Sequence, residues 1–115
     1  KIVLKGSERK LEPFIEVMIF RAIQELMGNA VRHNADTPVR PQISVQMAIE
    51  DTLVRVMVSD TGKGFNPDDL LRTQGGGLKL IRERVELLGG SVNIDSSPGQ
   101  GARVTFQIPV ESVMA

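Results

Sequence analysis

The chain has 115 residues, 41% hydrophobic and 24% charged, which is roughly one domain of globular composition and excludes a two-domain enzyme, a fibrous repeat and a disordered tail. It has no cysteine, and fourteen basic residues balance fourteen acidic ones; disulfides and thiolate metal sites are excluded, and no net field draws the chain to nucleic acid or anionic lipid, so a charged ligand has to be met by local chemistry. No apolar run reaches the roughly 20 residues of a membrane span, and Lys1 to Lys10 lacks a signal peptide's apolar stretch, so residues 1–115 are expected to form one soluble domain without membrane contact.

Ile2-Val3-Leu4 reads as a short strand and Gly6 to Lys10 as a turn. Pro13 suits the first turn of a helix, where its missing N–H costs nothing. From Phe14 to about Asn34 the residues Ile15, Ile19, Ala22, Ile23, Leu26, Ala30 and Val31 recur at helical spacing. Thr37-Pro38 and Arg40-Pro41 end that helix, because residues before proline avoid the helical region. Two alternating runs follow, Ile43-Val45-Met47-Ile49 and Val54-Val56-Val58, with Glu50-Asp51-Thr52 between them as a hairpin turn. From Ser59 to Gly77 the pattern lapses into a loop of the kind that forms functional lids. A second helix is predicted from Gly77 to Leu88, burying Leu78, Ile81, Val85 and Leu88, with Gly89-Gly90 as its C-cap. Strands Ser91 to Asp95 and Ala102 to Ile108 flank the turn Ser97 to Gly101. Strand, helix, two strands, loop, helix, two strands predicts an α+β domain, a mixed sheet covered on one face by helices.

Four features carry candidate chemistry. Glu25, Asn29 and Arg32 form one polar stripe on an otherwise apolar helix, which either emerges into solvent there or lines a cleft. Glu25 offers a carboxylate and Asn29 a neutral oxygen of the kind Mg²⁺ takes together with waters and phosphates; Arg32 suits a phosphate oxygen. Second, Asp60-Thr61-Gly62-Lys63-Gly64 follows a strand. A buried ionised carboxylate only accepts hydrogen bonds and suits a purine's exocyclic amino group, while the alternative is an ordinary Asp-x-Gly turn. Third, Gly75-Gly76-Gly77 runs into a helix and either cradles phosphate with its N–H groups or acts as a hinge. A Walker motif is absent, and G-x-G-x-x-G read from Gly75 meets Leu80 at its last glycine. Fourth, Gly99-Gln100-Gly101 reads as a hairpin turn. His33, the single histidine, suits the dipole at a helix C-terminus, and with no cysteine a zinc site is not expected.

Taken in this order, the four features resemble the catalytic, ATP-binding domain of bacterial two-component sensor histidine kinases, in the superfamily shared with gyrase B, Hsp90 and MutL. Gln24-Glu25-Leu26-Met27-Gly28-Asn29-Ala30-Val31-Arg32-His33 is similar to the N box of the NarX, DegS and DesK type. Asp60-Thr61-Gly62-Lys63-Gly64-Phe65 is similar to the D-x-G-x-G-F box, Gly75-Gly76-Gly77-Leu78 to the G-x-G-L box, and Ile81 to Gly90 to the helix after it. The resemblance covers nearly the whole chain. It departs at Ala102, where relatives often carry Ser or Thr, and at Asn34, which replaces a usual small residue.

The resemblance implies a two-layer α/β sandwich, the Bergerat ATP-binding fold, with ATP between helices and sheet. Asp60 would accept from the adenine amino group while Gly62 and Gly64 let the base approach. Glu25 and Asn29 would be catalytic, Asn29 holding Mg²⁺, with Arg32 and His33 near the phosphates. Gly75, Gly76, Gly77 and Leu78 would border the phosphates, Phe65 to Gln74 would form a short lid, and Thr105 would lie under the adenine. The implied activity is transfer of the ATP γ-phosphoryl group to a histidine on a dimerisation hairpin of the same kinase, then to a response-regulator aspartate. No helix carrying such a histidine is found in the chain, so it is read as a single domain cut from a larger kinase. The domain is expected to be cytoplasmic and monomeric alone, and its parent a homodimer, with a membrane anchor as an open option. The alternatives are an ATPase of the gyrase or MutL type using Glu25 as general base, and a nonenzymatic nucleotide-sensing or partner-binding module.

Overall fold

The computed structural model describes residues 2–6, 11–34, 41–50, 52–64, 77–97 and 99–110, with backbone alone for 2–6, 32 and 33. The elements in chain order are β1 (Ile2–Gly6), α1 (Pro13–His33), β2 (Ile43–Ile49), β3 (Leu53–Asp60), α2 (Gly77–Leu87), β4 (Ser91–Ser96) and β5 (Ala102–Pro109). Each expected element is present, with ends moved by one or two residues. The strands form one sheet in the order β1-β2-β3-β5-β4. β1 pairs parallel to β2 while the other neighbours are antiparallel, so the sheet is mixed.

The period of two along each strand divides the sheet into unlike faces. Val45, Val58, Val104 and Ile94 lie side by side across β2, β3, β5 and β4, and with Val54, Val56, Phe106 and Ile108 they build the face beneath the helices. The opposite face carries rows such as Ser44, Ser59, Arg103 and Asp95, a polar surface that needs no cover. The helices supply the other layer of the core: Ile19, Ala22 and Leu26 from α1 and Leu78, Ile81 and Val85 from α2. Phe106 is fully buried where the two layers meet.

Val31 departs from the expected apolar face of α1, being 60% exposed. At about 100° per residue it stands about 140° from Leu26, off the stripe that Ile19, Ala22, Leu26 and Ala30 follow. The end of α2 is as expected. Gly89 adopts φ +82°, its N–H donates to the Glu86 carbonyl (3.0 Å), and that of Gly90 donates to the Val85 carbonyl (2.9 Å), the paired bonds of a Schellman cap. The β2–β3 hairpin closes through Glu50 N–H to the Leu53 carbonyl (2.8 Å).

Candidate functional site

The C-terminal half of α1, the first turn of α2 and the adjoining ends of β3 and β5 border a narrow slot with about 30 Å³ of enclosed space. Its walls are Leu26, Ala30, Val58, Leu78, Ala102 and Val104, and its polar groups are Asn29, Asn34 and Asp60. A concave, mostly apolar volume with a few convergent polar groups is the form that small-molecule sites take. Asp60 reaches it because β3 continues its alternation to its last residue: Val54, Val56 and Val58 are buried, and Asp60 is the next residue on that face, paired with Ala102 on β5.

The loop after Asp60 is held from several sides. One Asp60 oxygen, Oδ1, accepts from the Gly62 N–H at 2.8 Å, which turns the chain and leaves the other carboxylate oxygen a different direction to face. Thr61 N–H donates to the Gln42 carbonyl (3.1 Å), and its Oγ1 accepts from the Gln42 N–H (2.9 Å). The Lys63 carbonyl accepts from the Gly99 N–H. Gly64 has φ +69°, and a Cβ there would run into the carbonyl oxygens of Ser97 and Gly101. The Ser97 to Gly101 turn thus buttresses this loop, with Ser96 Oγ donating to the Gly101 carbonyl (2.7 Å) inside it. Just beyond α1, Asn34 meets the loop through its side-chain oxygen, which accepts from the Lys63 N–H at 2.8 Å.

Glu25 and Asn29, one helical turn apart on α1, reach different spaces. Asn29 lines the slot. Glu25 lines a neighbouring cavity of about 290 Å³ between α1 and α2, with Arg21, Arg84 and Gly77. Its carboxylate lies against Gly77, where a Cβ would collide with it, so a negative charge stands at the positive end of the α2 dipole. Gly77 faces this cavity and Leu78 the slot, so the first residues of α2 separate the two.

Of the residues named from sequence, Asn29, Asp60, Gly64 and Leu78 line the slot, Gly62 is in the loop at its edge, and Glu25 and Gly77 flank the next cavity. Thr105 is corrected: it points to the polar face of the sheet, opposite Met57 and Asn93, because the residues on either side of it, Val104 and Phe106, are buried. Ala102 and Val104 stand beneath the slot in its place. Phe65, Gly75, Gly76 and the expected lid Phe65 to Gln74 lie outside the described residues, as do the side chains of Arg32 and His33. Sequence reasoning missed Asn34 as part of the site, and also the wall residues Val58, Ala102 and Val104. The alternation of β3 and β5 could have found the last three, since Val58 and Val104 stand in the apolar register; for Asn34 the sequence held no signal beyond a polar residue at a helix end.

Residues 15–112 match the family described as histidine kinase-, DNA gyrase B-, and HSP90-like ATPase. The chain belongs to that family. Similar curated proteins are the signal transduction histidine-protein kinase/phosphatase DegS of Bacillus subtilis, 33% identical over 90% of this chain and 26% of its own length, and the sensor protein VraS of Staphylococcus aureus, 34% identical over 96% of this chain and 30% of its own. The histidine kinase domain of an Erythrobacter litoralis blue-light activated histidine kinase shares the fold, with TM-score 0.78 at 22% identity over 95% of this chain and 51% of that one. The chain spans less than a third of the curated relatives' lengths. It is an ATP-binding domain of the sensor-histidine-kinase type, and its likeness to DegS agrees with the subfamily that the N box suggested. The Bergerat sandwich implied by the resemblance is the fold observed.

Proposed function

We propose that the slot binds the adenine of ATP and that the domain, within its parent kinase, passes the γ-phosphoryl group to a histidine on a neighbouring dimerisation hairpin, a response-regulator aspartate receiving it next. The observation that carries this reading is Asp60: a carboxylate at the edge of an apolar slot, with one oxygen engaged by the Gly62 N–H. Such a group accepts from a purine amino group and repels the carbonyl that guanine carries at that position. The apolar walls Leu26, Ala30, Leu78 and Val104 suit a flat ring. The phosphates would run toward the N-terminus of α2, where first-turn N–H groups and the dipole favour anions, and the resemblance puts Arg32 and His33 at that end.

In the transfer, the bond between the γ-phosphorus and the bridging oxygen of ADP breaks while a phosphorus–nitrogen bond forms to the acceptor imidazole, and ADP leaves with the bridging electrons. The protein's part is positioning and charge neutralisation. Among the described residues no group of three or more His, Cys, Asp or Glu is placed to hold a metal. The neutral amide oxygen of Asn29 fits as a single protein donor to an ion otherwise held by phosphates and water; when bound, Mg²⁺ would offset phosphate charge.

The deciding measurement is calorimetric titration with ATP, with and without Mg²⁺. Saturable binding is expected, weakened roughly 10- to 100-fold by Asp60→Asn through loss of a charged hydrogen bond, and weakened by Asn29→Ala chiefly when Mg²⁺ is present. No binding by the folded wild-type domain would move the nonenzymatic partner-binding reading to the front. A second enzymatic reading rests on Glu25, whose carboxylate at the start of α2 is near where the phosphates would end and could serve as base for water. Steady ATP hydrolysis abolished by Glu25→Gln would favour that reading over the kinase. No described helix is long and apolar enough to cross a membrane; a cytoplasmic site of action, a monomeric isolated domain and a homodimeric parent are proposed with the kinase reading.

A further inference from the structure

We infer that Asn34 is a positioning residue for base recognition: it ties the loop after Asp60 to the end of α1 and thereby sets how the Asp60 carboxylate meets the purine. This rests on the assignment of the slot as the adenine pocket. Asn34 is the first residue beyond α1 and is only 6% exposed, the buried polar residue among the described ones. Its Nδ2 donates to the Ala30 carbonyl at 2.7 Å, and its Oδ1 accepts from the Lys63 N–H at 2.8 Å. The orientation of the amide follows from these partners, since the reverse would set N–H against N–H and oxygen against oxygen.

A primary amide is a donor and an acceptor on one short, planar group, so a single side chain connects a helix-end carbonyl to a loop N–H. Alanine or serine at this position would be too short to join the two. The loop closes tightly on it: a Cβ on Gly62 would overlap the Asn34 amide. Gly62 is also the residue whose N–H engages Asp60 Oδ1, so the contacts run in sequence from Ala30 through Asn34 to Lys63, Gly62 and Asp60. Asn34 itself lines the slot. Through that loop, a change at Asn34 would be felt at the Asp60 carboxylate, the base end of the site.

The test is titration of the wild-type domain, Asn34→Ala and Asn34→Ser with ADP and with GDP, beside their thermal unfolding. Leaving the Lys63 N–H without its partner is expected to weaken ADP about tenfold in the Ala and Ser variants with GDP little changed, so the ADP-to-GDP preference falls. An unchanged ADP-to-GDP preference in Asn34→Ala, whatever its melting temperature, overturns the inference and leaves Asn34 a purely structural residue. Asn34→Ser carries the same reading if the Ala variant does not fold. Failure of the wild-type domain to bind ADP would instead overturn the assignment of the pocket.

Discussion

Two residues on α1 show how little separates a slot residue from one outside it. Asn29 and Glu25 are one turn apart, yet α2 begins between the spaces they line. Their spacing was legible in the sequence as one polar stripe, but the division was not, because it depends on where Gly77 and Leu78 dock. Asn34 was less legible still: its bond to Lys63 spans 29 positions, and no local pattern announces such a pairing. Gly62 shows the same dependence from the other side. Its lack of a Cβ admits the Asn34 amide, so Gly62→Ala is expected to destabilise the domain by about 1–3 kcal/mol through overpacking, measured by urea unfolding, and to weaken ADP binding. Stability and affinity both unchanged would mean that the loop moves away from Asn34 at no cost.

At the scale of the element, alternation decides which strand residues can matter to a ligand. Thr105 follows Val104 by one position and so faces away from it. Thr105→Ala is expected to change ATP affinity by no more than about twofold, the usual reach of a surface substitution, whereas Val104→Ala, at the slot wall, is expected to weaken binding. A large loss in Thr105→Ala would contradict the register described here. One residue further, Phe106 is fully buried between helices and sheet. Phe106→Ala is expected to cost about 3–5 kcal/mol, read as a lowered denaturation midpoint. The elements themselves were legible throughout, since proline at the start of α1, the Gly89-Gly90 cap and the alternating runs are local signals. Val31 was misplaced because apolar character alone does not say which angle around α1 it occupies.

For the whole molecule, helices on one face and a polar surface on the other put the candidate site between the layers. The matching family extends over residues 15–112, while the curated relatives are more than three times as long as this chain. On the kinase reading, the domain alone is expected to bind ATP and transfer no phosphate rapidly. Adding a dimerisation hairpin in trans, with radiolabelled ATP, is expected to label its histidine. Rapid autophosphorylation of the isolated domain, or no labelling of the hairpin, would count against that reading.

By itself the sequence determined the element order, the apolar faces of strands and of α2, the cap of α2 and the four ordered motifs, because each depends on residues within a few positions of one another. Only the tertiary structure decided that Glu25 and Asn29 part company across α2 and that Asn34 holds the Lys63 backbone. Those outcomes depend on which surfaces pack together, and packing joins residues that the chain keeps far apart.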